Sequence, residues 1–463
     1  MAIISDQISP NSLQAVDLKY SFHPYTNLKA HNERGPVIID RGKGIFVYDD
    51  QGKEYIEALS GLWSVALGYG EERLVQAAAS QMRKLAYYHS FSHKANAPSI
   101  KLAECLVKMA PRRLSRAFFA NSGSEANDTA IKMVWYHNNA IGLPQKKKII
   151  SRHRGYHGIT IAAGSLTGLP WNHQDFDLPI NNVLHTACPH YYRYAIEGES
   201  EEEFSSRLTG QLEQLILSEG PNTIAAFIGE PVMGAGGVIV PPKGYWDKIQ
   251  KICKKYDILV IADEVITGFG RTGKPFACEQ FKINPDIMVL SKQLTSSYVP
   301  MSAVLVTEKI YENISENSAK IGMFGHGFTG SGHPVAAAVA LENLAIIEER
   351  KLFETSAEVG VGMQRKLREL SQHPLVGEVR GLGLIAAVEF VADKKTKRQF
   401  EDVGKVGAHF FECGHKNGLI IRNVQDSVCI CPPLVTTDEE MDELINRFKI
   451  TLDETWSWAK AMP

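Results

Sequence analysis

The feature that most constrains this chain is an alternation beginning near residue 117. Six short apolar runs, RAFFAN, KKIISR, AAFIGEP, ILVIADE, IMVLSK and SAVLVT, are separated by segments with helical spacing. A run that is apolar at successive positions suits a strand buried on both faces. Strands that recur with helices between them form a largely parallel sheet, because each parallel connection has to cross over. In such a sheet ligands sit beyond the carboxyl ends of the strands. The residues that follow each run are therefore the ones to weigh for chemistry. They are Asn121-Ser122-Gly123-Ser124, Arg154-Gly155-Tyr156-His157, Glu230, Asp263-Glu264 and Ser291-Lys292.

The flanking segments read differently. GIFVYDDQGKEYIEAL (44–59) alternates around Asp49-Asp50-Gln51-Gly52 and predicts a hairpin. EERLVQAAASQMRKLAYY and PSIKLAECLVKMAP have helical periodicity. The stretch from His333 to Leu370 is strongly helical and is expected to lead out of a large domain, and GEVRGLGLIAAVEFV opens a smaller α+β unit. The expected division is residues 1–70 in the small domain, 71–344 in the large domain and 345–463 returning to the small one.

Composition excludes several classes. The net charge of −2 over 463 residues argues against nucleic acid as a partner. No window is apolar enough to span a membrane, so no membrane partner is expected. The seven cysteines show neither zinc-ligand spacing nor a disulfide framework, which points to a reducing compartment. The first residues lack a basic region followed by an apolar one. The expected location is the cytoplasm.

Each strand end has a plain reading and a chemical one. A lysine closing a strand is explained, taken alone, as a surface gatekeeper. Ser122-Gly123-Ser124 can be a simple helix cap with Ser124 as the capping residue, or can present backbone N–H groups to a phosphate. Asp263 has no base beside it and wants a cationic partner if buried. Lys292 follows 29 residues later, one crossover away, so both can share a sheet edge. A phosphate cradle, a carboxylate and a lysine at one edge are what pyridoxal 5'-phosphate requires: an amine for the Schiff base, an anion for the ring nitrogen and an anchor for the phosphate. Two other patterns are set aside. GHGFTG (325–330) matches a dinucleotide fingerprint but lies late and outside a strand-to-helix turn. His153 and His157 are spaced i, i+4, but Gly155 interrupts any helix and no third ligand is evident, so no metal is expected.

Seven motifs in order, LSGLWSVALGYG, NSGSEANDTAIKM, RGYHGIT, GEPVMGAGGVIVPPKGYW, VIADEVITGFGRTG, SKQLTSSYVP and HGFTGSGHP, carry a resemblance over nearly the whole chain. The chain resembles the class III aminotransferases of pyridoxal-phosphate fold type I, and within them the amine:pyruvate (ω-) transaminases. The resemblance implies an α/β fold: a large domain on a mostly parallel seven-stranded sheet, and a smaller α+β domain from both termini. It implies pyridoxal 5'-phosphate, with Lys292 as the Schiff-base lysine and proton carrier and Asp263 at the pyridinium nitrogen. Val265 would pack on one ring face and Tyr156 on the other, with His157 also at the cofactor. Gly123 and Ser124 would hold the phosphate, with Ser122 nearby, and Glu230 would lie near the cofactor hydroxyl. Phe328 and Thr329 also belong to the implied cofactor set, Thr329 reaching the phosphate from a second subunit.

The implied substrate pocket is Tyr25, Leu62, Trp63 and Tyr156, with Phe91 from the neighbour, and Arg422 as a carboxylate clamp. The implied assembly is a homodimer, or two dimers joined as a tetramer. The implied reaction moves an amino group from a primary amine or ω-amino acid to a keto acid, pyruvate, in ping-pong fashion. Sibling chemistries on the same scaffold are a 4-aminobutyrate or taurine transaminase, or a racemase. A non-catalytic sugar- or phosphate-binding relative is disfavoured by Lys292. Two positions depart from the family pattern: Gly330, where relatives often carry tyrosine, and Tyr25, which replaces a common phenylalanine.

Overall fold

The computed structural model describes residues 9, 11–111 and 113–461. Three short strands come first: β1 (Ile39–Lys43), β2 (Phe46–Asp49) and β3 (Glu54–Glu57), the last two being the expected hairpin. The six apolar runs are all strands: β4 (Leu114–Ala120), β5 (Lys148–Arg152), β7 (Ile224–Gly229), β8 (Leu259–Asp263), β9 (Ile287–Leu290) and β10 (Ser302–Thr307). A seventh, β6 (Val183–Thr186), joins them in one sheet of order β4-β10-β9-β8-β7-β5-β6. Its run is short and only half buried, as an edge position allows, which is why its apolar signal is weak.

The pairs from β9 through β6 are parallel. The exception is β10, which runs antiparallel to both β9 and β4. Its connection from β9 is the short turn that carries Lys292, too short for a covering helix, so the chain doubles back. Every residue of β7, β9 and β10 is buried. Each fully buried Val, Leu, Ile or Phe contributes about 1.5–3 kcal/mol relative to exposure, so this slab is a rigid base for what stands at its edge.

The helical stretch after His333 is two helices, Pro334–Glu349 and Leu352–Glu369. They part at Lys351, whose φ of 52° is left-handed and cannot continue a right-handed helix. Beyond them β11 (Val376–Leu382), β12 (Ile385–Phe390), β14 (Arg422–Val424) and β15 (Ser427–Ile430) form an antiparallel sheet of order β11-β12-β15-β14. A two-residue strand, β13 (Leu419–Ile420), instead pairs in parallel with β3, Leu419 opposite Ile56. Segments from the two ends of the chain thus share one sheet, and they bring Leu62, Trp63 and Arg422 over the carboxyl edge of the large sheet. Among the described residues no helix is long and apolar enough to cross a membrane.

Candidate active site

A cleft of about 840 Å³ opens beyond the carboxyl ends of the parallel strands. Its floor and walls include Gly123, Ser124, Tyr156, His157, Glu230, Asp263, Val265 and Lys292 from the large sheet, and Tyr25, Leu62, Trp63 and Arg422 from above. β8 and β9 pair with Asp263 opposite Val289, so Lys292 emerges three residues past that pair, on the neighbouring strand.

Asp263 is buried, and among the described residues the basic side chain that contacts it is the His157 imidazole, with no lysine or arginine in ion-pair distance. Its Oδ2 lies 2.7 Å from His157 Nδ1 and accepts from Asn127 Nδ2 at 3.0 Å, while Oδ1 accepts the Val265 amide at 3.1 Å. Asn127 also donates to the His157 carbonyl at 2.7 Å, tying the three together. Sequence reasoning missed Asn127. Its one available signal is position: it follows Gly123 by four residues on the same helix and so shares the face turned to the sheet edge.

Burial pushes the Lys292 amine down to about 8, against the opposing pull of Asp263 and Glu230. The neutral, nucleophilic form is therefore accessible near neutral pH. Burial raises the Glu230 carboxyl, which accepts the Tyr156 amide at 3.0 Å and the Gly234 amide at 2.8 Å. Arg152 donates to the Glu230 carbonyl at 2.6 Å, fixing that turn from below.

The helix Gly123–Ala140 points its start into the cleft. Its cap is Ser122, whose Oγ accepts the Glu125 amide at 3.2 Å, and not Ser124 as the plain reading had it. Ser124 instead accepts the Ile159 amide at 3.1 Å. Ser122 borders the cleft without lining it. The amides of Gly123 and Ser124 have no intrahelical carbonyl to bond, and the helix start carries partial positive charge. Gly158 closes this corner: a Cβ there would collide with Ser124 Oγ. An anion-binding helix start, a buried carboxylate and a lysine with lowered basicity make a donor set that fits a phosphorylated pyridine aldehyde.

The opposite wall is aromatic. Lys292 Nζ lies 5.3 Å from the Trp63 ring centre, and Arg422 Cζ lies 5.3 Å from Trp63 and 5.2 Å from Tyr25. The Tyr25 hydroxyl donates to Asn172 at 2.8 Å and accepts from Trp171 Nε1 at 2.9 Å, a bridge that phenylalanine could not make. Neither Trp171 nor Asn172 stands at a strand end, so sequence position did not mark them. Tyr25, Trp63, Lys292 and Gln425 all line the cleft and all have φ between 48° and 56°. Such non-glycine conformations cost on the order of 1–3 kcal/mol each and persist only where the surroundings over-determine them.

Three expected site residues stand apart. Phe91, Phe328 and Thr329 do not line the cleft. Phe91 is 48% exposed and lies beside Gly327, and the Thr329 carbonyl accepts from Tyr87 at 2.9 Å. Thr329 is likewise exposed, and Phe328 is half buried.

A family model described as aminotransferase class-III matches residues 28–452. The chain belongs to the class III aminotransferases. Among curated relatives, gamma aminobutyrate transaminase 1, mitochondrial, of Solanum lycopersicum is 52% identical over 433 residues, covering 93% of this chain and 84% of its own. The vanillin aminotransferase of Capsicum frutescens is 49% identical over 421 residues, covering 91% and 92%. Among solved structures, the omega transaminase of Pseudomonas jessenii in complex with PMP superposes with a TM-score of 0.96 at 58% identity, covering 97% of this chain and 99% of that one. The cofactor of this aminotransferase is pyridoxal 5'-phosphate, and its fold is fold type I.

Proposed function

We propose that this aminotransferase moves an amino group from a primary amine or an ω-amino acid to pyruvate. The observation that carries this reading is Arg422. Among the described residues its guanidinium has no salt-bridge or hydrogen-bond partner, although it is half buried in the cleft wall. Among the described residues it is, apart from Lys292, the only lysine or arginine lining the cleft. One free guanidinium matches one carboxylate, as in pyruvate, alanine or an ω-amino acid; a dicarboxylic keto acid such as 2-oxoglutarate needs a second cation. The aromatic wall of Tyr25, Trp63 and Tyr156 favours an apolar amine substituent when no carboxylate is bound. A related transaminase, 58% identical with a TM-score of 0.90, has been solved with L-alanine, the amino form of pyruvate.

When bound, pyridoxal 5'-phosphate supplies an aldehyde for the amine and a ring that stabilises the charge left when the substrate Cα loses its proton. The residues divide the remaining work. Gly123 and Ser124 would hold the phosphate, Asp263 the ring nitrogen, and Val265 and Tyr156 the two ring faces. His157 and Asn127 orient the Asp263 carboxylate. Glu230 holds the Tyr156 loop through its amide. Lys292, with its amine readily neutral, takes the Cα proton and returns it on the other side of the transfer. Leu62 and Trp63 shield the reacting centre, and Arg422 fixes the carboxylate. Phe91, Phe328 and Thr329 would complete the cleft of a second copy, so the working unit is a homodimer.

A second reading keeps the same residues and makes 4-aminobutyrate the main donor. It is favoured by the several relatives named as gamma aminobutyrate transaminases at about half identity. A panel of amines, each tested with pyruvate and with 2-oxoglutarate, decides. Higher kcat/KM with pyruvate across the panel supports the proposal; an equal or higher value with 2-oxoglutarate overturns it. Within the same panel, ranking 4-aminobutyrate against arylalkylamines by kcat/KM separates the two donors.

A further inference from the structure

Away from the transamination chemistry, residues 17–31 gather three side chains that this chemistry does not use. Asp17 lies on the helix Leu13–Tyr20, His31 on the helix Leu28–Arg34, and His23 on the turn between them. His23 Nε2 is 2.9 Å from Asp17 Oδ1, and His31 Nε2 is 3.0 Å from Asp17 Oδ2. The imidazole centres are 4.1 Å apart, and one donor atom from each residue lies within 4.8 Å of the other two. Two separate helices and the turn between them supply the three residues, so no single helical repeat joins them and only the folded turn reveals the cluster.

We propose that Asp17, His23 and His31 bind a divalent transition ion of the zinc type, and that the ion fixes the cleft wall at Pro24 and Tyr25. Zinc bound tetrahedrally at about 2.0–2.2 Å sets its ligand atoms about 3.3 Å apart, so the two contacts to Asp17 Oδ2, 2.9 Å from His23 Nε2 and 3.0 Å from His31 Nε2, have to open by only a few tenths of an ångström. Each ring would present Nε2 unprotonated and carry its proton on Nδ1, a tautomer neutral imidazole readily adopts. Two imidazoles and one carboxylate leave a fourth position for water, and side-chain exposures of 31%, 11% and 19% for His23, His31 and Asp17 leave a path in. Calcium or magnesium would find too few oxygens here.

A second cluster sharpens the choice. His190, Glu378 and Glu389 also converge, but Arg380 pairs with both carboxylates and Arg193 with Glu389, so positive charge already occupies that place. Asp17 has no lysine or arginine within ion-pair distance among the described residues. The consequence reaches the cleft because His23 is followed directly by Pro24 and Tyr25, both lining residues, and Tyr25 carries the Arg422 guanidinium on its ring.

The test uses the full-length holoenzyme, freed of metal by chelator dialysis and then dialysed to equilibrium against micromolar Zn²⁺. Bound zinc is measured by atomic emission, and a parallel sample takes Co²⁺ for its visible absorption. The wild type should take up one zinc per chain and show the intense cobalt bands of tetrahedral coordination. His23→Gln and His31→Gln should each weaken zinc binding by at least about tenfold and abolish those bands. Zinc should change the KM for the amine in the wild type and leave it unchanged in His31→Gln. The proposal fails if the wild type binds no zinc, or no more than a variant carrying both His23→Gln and His31→Gln, which is what scattered thiols and surface imidazoles would give. It fails equally if zinc alters KM to the same extent in His31→Gln.

Discussion

Asp263 Oδ2 and His157 Nδ1 lie 2.7 Å apart with both side chains buried, and this contact, braced by Asn127, fixes the Asp263 carboxylate at the floor of the cleft. Asp263→Asn replaces an anion by a neutral amide at the same volume. The first half-reaction should slow by about two orders of magnitude or more, since a preorganised charge in a dry site is worth several kcal/mol. Single-turnover absorbance kinetics measure this, and a near-normal rate would contradict the role of Asp263.

Asn127→Ala tests the brace rather than the charge. It removes two hydrogen bonds, one to the His157 carbonyl worth about 0.5–1.5 kcal/mol and one to the Asp263 carboxylate worth about 1.5–3 kcal/mol. The expected result is a loss of kcat smaller than that of Asp263→Asn, with the amine KM little changed. A loss as large as that of Asp263→Asn would mean that Asn127 itself touches the reacting groups.

Lys292→Ala should retain the cofactor through Gly123, Ser124 and Asp263 yet lose turnover by at least about 10²–10⁴-fold, the usual contribution of a positioned proton carrier. Substantial transamination by this variant would remove Lys292 from the mechanism.

The lowered basicity of Lys292 has a pH signature. The amine is neutral above about 8, whereas an ordinary lysine titrates near 10.4. Uptake of pyridoxal 5'-phosphate by the apoenzyme should accelerate with rising pH and level off above about 8. The unfolded chain binds the proton more tightly than the folded one, so between about 8 and the ordinary lysine value this group makes the apoenzyme more stable as pH rises. Stopped-flow uptake across pH checks the first statement; a rate still climbing steeply at pH 10 would contradict it.

Arg422→Ala should raise the KM for pyruvate by about tenfold to a hundredfold, the worth of a charge-assisted contact, while an apolar amine is little affected. The two half-reactions measured separately give the comparison. Equal losses in both would count against a carboxylate clamp.

The chemistry at the strand ends was legible because a doubly buried strand must be apolar, and a polar residue placed just after it must be explained. Lys292, Asp263 and Glu230 were found in this way. The direction of β10 was not legible, since an apolar run does not reveal which way it points. The strand Val183–Thr186 was hidden because an edge needs little apolar surface. Asn127 and Trp171 act through contacts with segments far away in sequence, and the Asp17–His23–His31 cluster forms across a folded turn, neither of which has a sequence period. Phe91, Phe328 and Thr329 came from family resemblance, and in a single chain they stay outside the cleft.

The most direct test of the central claim is chemical trapping. Holoenzyme reduced with borohydride and digested should yield a peptide in which the pyridoxyl group is fixed to Lys292. A label on another lysine, or a cofactor that dialyses away after reduction, would contradict the account.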